Sequence, residues 1–558
     1  MNDIISEIKG QIITFVKQAL DKQGYDYTDE ILVEKPREKA FGDFATNVAM
    51  QLARTARKAP RVIAQDILDA MDFSDTLIDH ADIAGAGFLN FTLKEEWLQK
   101  AMWVIEQRGA DYGRLDMGNG EKVMVEYVSA NPTGPMHMGN ARGGAMGDTL
   151  ASLLSYAGYD VTREFYLNDA GAQIEKLGKS LEARFLQIVQ GDDSVVFPED
   201  GYQGGDIRVH MQNYIDSYGT DMINVDSETR KKAFTEYVLE LNIAKLKTDL
   251  AFYGVHYDVW FHESSLYQSG EVDRTIALLK DSGYTYEEDG ALWLKSSELG
   301  CEKDDVLVRN NGIPTYFAVD IAYHKNKFID REFCRVINIW GADHHGHIAR
   351  MKAAMQAIGI DPNRLQILTM QHVRLVQDGK AVKMSKRTGE MISLTDLLDD
   401  IGVDAARFFF NLRQADSHFD FDMTLATEKT NENPVYYVQY AHARICSMLR
   451  LLEQEGITPK TCDRIDLSVL RAPEEKQLCE KLAYFPDEIR NAATSTDPSK
   501  MTKYAMDLAG MFHTFYNACR VKGEEDAILY PRLLLVKDTR DVLRSTLDIL
   551  GVTAPEQM

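Results

Sequence analysis

A histidine at a glycine-bearing turn and two lysines on a loop of small residues are the side chains of this sequence best suited to handling phosphate. The first group lies in NPTGPMHMGNARG, Asn131 to Gly143, and the second in AVKMSKRTG, Ala381 to Gly389. His137 follows a strand-like run from Lys122 to Ser129, in which Val123, Val125 and Tyr127 alternate with Met124, Glu126 and Val128. It sits where that strand turns into a helix. Free backbone N–H groups and the helix dipole at such a junction favour an anion, so a triphosphate can rest there. Gly139 lacks a Cβ and lets a nucleotide approach the backbone, and His137 can donate to phosphate oxygens that gain charge as pyrophosphate leaves. Lys383 and Lys386 are mobile cations on a loop flanked by Asp378, Gly379 and Gly389. Closed over the phosphates, they would stabilise an α-phosphoryl transition state by positioning and electrostatics. Either motif alone occurs by chance in many chains. Their order, each beside a predicted strand, joins them into one candidate nucleotide site.

The helix after His137 is predicted to begin near Asn140 and to run through Met146, Leu150, Leu153 and Leu154 before Gly158 ends it. From 118 to about 375, predicted strands at Asp160–Leu167, Val306–Asn310, Arg335–Trp340 and Leu365–Leu368 alternate with helices. Such alternation predicts an α/β fold, a Rossmann-type doubly wound parallel sheet that binds ligand at the carboxyl ends of its strands. Residues from about 185 to 300 read as a polar, helix-rich insertion. Residues 1 to about 110 form a separate small α/β module, with helical patterns at Ile4–Leu20 and Ala45–Thr55 and a strand at Gly87–Leu93, linked onward by the Gly- and Asp-rich DYGRLDMGNGEK. Residues 376–424 carry the lysine loop and a connection. From about 425 to 558 the pattern is a helical bundle, including Asn433–Gly456 and Asp538–Leu550.

At 558 residues the chain has room for three or four domains, and 45% apolar content is that of an ordinary globular protein. No apolar run approaches a membrane span, and the N-terminus reads as an amphipathic helix start, so a cytoplasmic protein is expected. The cysteines, Cys301, Cys334, Cys446, Cys462, Cys479 and Cys519, form no CxxC pair, which argues against a zinc ribbon or a disulfide framework. A net charge of −24 is unusual for a nucleic-acid binder. It leaves room for a local basic strip and for single-stranded bases read by stacking, with weak non-specific binding and steep salt dependence.

The two phosphate motifs resemble the ATP-binding signatures of class I aminoacyl-tRNA synthetases. Further stretches extend the resemblance over nearly the whole chain, to arginyl-tRNA synthetases of the bacterial type. They are FGDFATNVA at Phe41, GFLNF at Gly87, FYLNDAGAQ at Phe165, FPEDGYQGG at Phe197, WGADHHGHIARM at Trp340, NPVYYVQYAHAR at Asn433 and LDILGVTAPEQM at Leu547. The last two are similar to that family's anticodon-binding domain, which makes the C-terminal bundle an α-helical anticodon-binding domain by resemblance.

An arginine site also makes chemical sense, because a guanidinium needs carboxylates in its plane. Glu126 and Asp320 can supply the charge, and Tyr316 lies four residues before Asp320 on one predicted helical face. The resemblance implies that Glu126, Ser129, Asn131, Tyr316, Asp320 and His344 bind arginine, with Ser129 and Asn131 near its α-amino and carboxyl groups. It implies that Pro135, His137, Gly139, Asn140, Asp343, Met384 and Lys386 bind ATP, with His137, Lys383 and Lys386 catalytic. Plainer alternatives stand beside these: Glu126 as a strand residue paired to a distant lysine, and Tyr316 with Asp320 as one exposed helical face. The cluster Asp343, His344, His345 and His347 lacks HExxH spacing and is expected to hold no metal. In the first domain Phe88 and Asn90 resemble the pair that reads a D-loop adenosine of the tRNA, an aromatic face plus an amide suiting an unstacked base. Phe88 could equally be one of the alternate residues on a strand that face a core.

One position departs from the pattern. The first signature of the family usually ends in a second histidine, where Asn140 stands here. An amide can donate but cannot carry charge. The function implied is an arginine–tRNA ligase using ATP with Mg²⁺, without structural zinc. It would form arginyl-adenylate and pass arginine to the 2′-hydroxyl of the terminal adenosine of arginine tRNA, as a monomer. A class I ligase for cysteine is disfavoured by the lack of zinc-ligand cysteines and by Glu126 and Asp320.

Overall fold

The computed structural model describes residues 3–191, 195–382 and 392–558. Its centre is a five-stranded, wholly parallel sheet with the strand order Leu365–Met370, Arg335–Gly341, Lys122–Glu126, Asp160–Leu167 and Val259–His262. Chain order runs outward in one direction from Lys122–Glu126 and in the other from Arg335–Gly341. The order therefore reverses between these two neighbours, and a crevice opens beyond their carboxyl ends. His137 and the residues after Gly341 both emerge there.

Two sequence expectations change. Val306–Asn310 was predicted for the parallel sheet, but the strand Asp305–Val308 pairs antiparallel with Ala291–Leu294, which pairs in turn with Thr285–Glu288. The reason is local. Asp289 and Gly290 both take positive φ, 51° and 76°, the two-residue turn that closes a hairpin. The fifth parallel strand is instead Val259–His262, within the stretch read as a helix-rich insertion. It follows three helices, Ala172–Gln190, Gly205–Tyr218 and Ser227–Phe252, that share their own core of Leu177, Phe185, Met211, Phe234 and Val238.

The helix after His137 spans Met138–Tyr156, with Gly158 at φ 92° just beyond it. Its apolar stripe was visible in the sequence, but the structure buries every side of its middle from Ala141 to Thr149. The run of small residues explains how. A Cβ on Gly147 would stand 2.1 Å from the Tyr127 ring, so the helix lies directly on that side chain.

The N-terminal module pairs Phe44–Thr46, Phe88–Leu93 and Ile78–Ala84 in an antiparallel sheet and covers it with helices. One helix, Ile4–Gln23, starts where Asp3 accepts from the Ser6 N–H at 2.9 Å and ends at Gly24 with φ 71°. It buries Ile4, Ile5, Ile8, Ile12 and Val16. The C-terminal region is a bundle of Pro434–Gln454, Pro473–Ala483, Phe485–Ser495, Ser499–Ala518 and Asp526–Leu550. Lys9 to Asp487 at 3.0 Å and Arg490 to Asp3 at 2.8 Å join these two end regions.

Arg407 binds the bundle to the nucleotide sheet. Fully buried on the helix Val403–Phe410, it donates to Asp148 Oδ2 at 2.5 Å, to the Leu550 carbonyl at 3.0 Å and to the Gly254 carbonyl at 3.0 Å. One guanidinium thus holds the helix after His137, the end of the inserted helices and the end of the last helix. Arg407→Met removes the charge that answers Asp148 and leaves the carbonyls dry. Arg163 still lies 3.4 Å from the other Asp148 oxygen, so a loss of about 3 kcal/mol is expected, at the low end for breaking a buried ion pair. A denaturant titration of the variant against the unaltered protein checks this.

Candidate functional site

The strand Lys122–Glu126 ends in strained backbone. Val128 has φ 68° and Ser129 φ 42°, values a β-branched residue and a serine adopt only where the surroundings impose them. The bend is held by the Ser129 hydroxyl, which donates to Glu126 Oε1 at 3.0 Å and accepts from the Tyr166 N–H at 3.2 Å. It turns the chain into the loop bearing Asn131 and Pro135, both exposed. His137 then caps the helix in extended conformation, φ −91° and ψ 161°, with its side chain exposed. Asn140 lies one turn in, and its Oδ1 accepts from the His137 N–H at 3.0 Å. The departure at this position therefore has a structural part: the amide oxygen orients the turn. Among the described residues a Cβ on Gly139 would meet nothing within 4 Å, which leaves room for a ligand to approach the backbone.

Lys383, Met384 and Lys386 lie outside the described residues, but the chain on both sides of them is placed. Val373–Gln377 and Lys380–Val382 form a hairpin through Asp378 and Gly379, both at positive φ, that leads up to Lys383. On the far side, Ile392 to Leu394 pairs with the His137 turn itself. The Met138 N–H donates to the Ile392 carbonyl at 3.2 Å and the Leu394 N–H to the Met136 carbonyl at 3.0 Å. Ser393 then caps the helix Leu394–Ile401 in a reciprocal box with Asp396. The segment after the second motif is thus tied to the first.

An open cleft of about 1030 Å³ lies at the switch point, walled by Glu126, Ser129, Tyr316, Asp320, Asp343 and His347 among others. Asn131 and Pro135 are not among its walls, and the His344 side chain lies outside what is described. Asp343 is exposed on the rim, 3.5 Å from His372. Tyr316 begins the helix Tyr316–Lys325 and is exposed, its hydroxyl accepting from the Ala172 N–H at 3.2 Å. Glu126 is buried, and its Oε2 accepts from Lys327 Nζ at 2.5 Å, so its charge already has a partner. The plainer reading of Glu126 describes this contact, although the residue still faces the cleft. Asp320 is held differently. His347 Nε2 lies 2.5 Å from its Oδ2 and His324 Nδ1 3.1 Å from its Oδ1. Burial opposes its ionisation, but the two histidines that face its oxygens favour the charged form.

Sequence reasoning missed Glu263. It follows the strand Val259–His262, is 2% exposed, and walls the cleft. Its Oε2 accepts from the Tyr166 hydroxyl at 2.8 Å, while its buried Oε1 has no partner among the described residues. Burial, with Asp169 and Asp320 nearby, pushes its carboxyl up from 4.5 to about 7. The available signal was its place at a strand end, unreadable while that strand was assigned to an insertion. Because its folded value is raised, the folded state holds the proton more tightly than the unfolded one. Stability is therefore lost as pH rises from about 4.5 through about 7. Glu263→Gln is expected to raise the melting temperature of the ligand-free protein at pH 8 and to change it little at pH 5. Differential scanning calorimetry at the two pH values checks this.

Phe88 and Asn90 share a face of the strand Phe88–Leu93, opposite the buried Leu89, Phe91 and Leu93. Phe88 is 39% exposed, which removes the core reading for it, and Asn90 opens onto a groove with Lys39, Phe41, His80 and Asp82. In the bundle, Gln439 is structural, donating to Asp404 at 2.8 Å and to the Thr553 carbonyl at 3.0 Å. Among the described residues no group of three or more histidine, cysteine or acidic side chains could hold a metal ion.

A parallel sheet with a crevice at its switch point, a histidine–glycine turn opening a helix there, and the segment that follows a second phosphate motif paired with that turn define a class I synthetase nucleotide domain. Residues 105–427 match the family described as the catalytic domain of class I tRNA synthetases (R). Residues 10–93 match the arginyl tRNA synthetase N-terminal domain, and 438–558 the DALR anticodon binding domain. The curated arginine–tRNA ligase of Acetivibrio thermocellus is 57% identical over the full length of both chains, and that of Ruminiclostridium cellulolyticum 55%. The solved arginyl-tRNA synthetase of Thermus thermophilus superposes with a TM-score of 0.76 over 98% of this chain and 99% of its own, at 22% identity, which speaks to the fold. This chain belongs to the arginyl-tRNA synthetase family.

Proposed function

We propose that this protein ligates arginine to its tRNA in two steps. The observation that carries the reading is the pairing, in one cleft, of Asp320 in its ionised form with Glu263, whose buried oxygen has no partner among the described residues. A guanidinium presents planar donors on several sides and would answer both acids at once. Ser129 and Asn131 serve the α-amino and carboxyl groups, and Tyr316 and His344 complete the wall.

In the first step an arginine carboxylate oxygen attacks the α-phosphorus of ATP, taken as its magnesium complex, and the bond to pyrophosphate breaks. His137, Lys383 and Lys386 stabilise the charge that develops, while Pro135, Gly139, Asn140, Asp343 and Met384 shape the nucleotide site. In the second, the 2′-hydroxyl of the terminal adenosine of the tRNA attacks the arginyl carbonyl and AMP leaves. The adenylate is the activated species, so no protein nucleophile is required. Phe88 and Asn90 read a D-loop base and the helical bundle the anticodon arm. In this reading the protein is a cytoplasmic monomer without structural zinc.

The test is exchange of pyrophosphate into ATP with arginine, lysine, cysteine or citrulline, with and without arginine tRNA. Exchange confined to arginine supports the reading, and dependence on tRNA would make the nucleic acid part of the site. No exchange under any condition would leave a tRNA-binding protein without the ligase activity.

A further inference from the structure

Behind the cleft acids runs a buried chain of polar side chains. Lys327 is fully buried, and its Nζ donates to Glu126 Oε2 at 2.5 Å and to Asn338 Oδ1 at 3.2 Å. Asn338, fully buried on the strand Arg335–Gly341, has its Nδ2 2.9 Å from His324 Nε2. His324 Nδ1 faces Asp320, 2.8 Å from its main-chain oxygen and 3.1 Å from its carboxylate.

The polarity of this chain is determined at its lysine end. An ammonium can only donate, so Asn338 turns its oxygen toward Lys327 and its NH₂ toward the ring. His324 Nε2 must then accept, which leaves the ring proton on Nδ1, aimed at Asp320. A second proton would point from Nε2 into the Asn338 NH₂. The opposite side of Asp320 is built alike: Arg350 donates to His347 Nδ1, and His347 Nε2 donates to Asp320.

We propose that Lys327 and Asn338 are positioning residues for amino-acid selection, which hold His324 as the neutral Nδ1–H tautomer so that Asp320 keeps its full charge for a guanidinium. The inference rests on the reading of the cleft as an arginine site. Glu126, by contrast, is answered by Lys327 and shapes the pocket without competing for the ligand. The groups facing His324 are Asp320 on its own helix, Asn338 from the sheet, and the Tyr323 ring beside it, with Lys327 and Glu126 beyond Asn338 and His347 beyond Asp320.

Asn338→Asp keeps the side chain's shape but replaces the donor that faces His324 Nε2 with an acceptor. The ring then takes a second proton and sets a positive charge against Asp320, where the guanidinium must bind. Nitrogen-15 spectra of the full-length, histidine-labelled protein, assigned with His324→Gln, report the tautomer directly. Arginine and ATP KM values from pyrophosphate exchange report the consequence. In the unaltered protein His324 is expected to carry its proton on Nδ1 and none on Nε2. Asn338→Asp should protonate both nitrogens and raise the arginine KM at least tenfold, with the ATP KM and melting temperature little changed. The penalty should shrink as pH rises and the ring gives up its second proton. A His324 that carries its proton on Nε2, or a proton on each nitrogen, in the unaltered protein overturns the inference. So does an Asn338→Asp enzyme whose arginine KM stays within twofold, or whose two KM values rise together. Failure of the unaltered enzyme to exchange with arginine, whatever its tautomer, overturns the arginine reading and the selection role with it.

Discussion

Asp320→Asn is expected to raise the arginine KM by two to three orders of magnitude while leaving the ATP KM and the melting temperature nearly unchanged. Removing one partner of a buried, hydrogen-bonded charge pair costs about 3–5 kcal/mol, because the remaining charge is left dry. Here the stranded charge would be the ligand's, so the cost falls on binding. The fold should tolerate the change, since the amide oxygen can still accept from one of the two histidines that face Asp320 Oδ1 and Oδ2. Glu263 would remain but cannot replace it, because its burial still disfavours the ionised form. Steady-state exchange at varied arginine is the measurement. A drop in kcat at unchanged KM would show that Asp320 does not hold the substrate.

Lys386→Ala should do the opposite, lowering kcat by about 10² to 10³ with the arginine KM within a few fold. Removing one preorganised donor to a developing charge has this magnitude, and an interaction made mainly in the transition state leaves ground-state binding intact. The expectation draws on a structural connection although Lys386 itself lies outside the described residues. The segment after it, Ile392 to Leu394, pairs with Met136 and Met138 at the turn that bears His137. Single-turnover adenylate formation separates the two effects, and a parallel rise in arginine KM would contradict the assignment.

Local patterns were legible where one element decides them. The alternation from Lys122 and the apolar spacing from Met146 describe a strand and a helix that exist close to where they were expected. The strands at Asp160–Leu167 and Arg335–Gly341 are likewise local. Reading failed where membership of a sheet, rather than strand character, was in question. Asp305–Val308 is a strand, but it pairs antiparallel with Ala291–Leu294, itself one arm of the hairpin that turns at Asp289 and Gly290. Val259–His262 is too short to announce itself beside the long Ser227–Phe252 helix, and with it went Glu263.

The sequence by itself determined the chemistry of the nucleotide site. A histidine before a glycine at a strand-to-helix turn, and lysines on a small-residue loop, carry their properties in residue type and spacing, which survive without coordinates. It also determined the family, because the motifs recur along the whole chain. Only the tertiary structure decided which acids answer whom. Glu126 meets a lysine 201 positions away, Asp320 is gripped by histidines on two helices, and Glu263 keeps a buried oxygen without a partner among the described residues. Charge and burial at a pocket are sums over neighbours brought from distant parts of the chain, and no local pattern contains those distances.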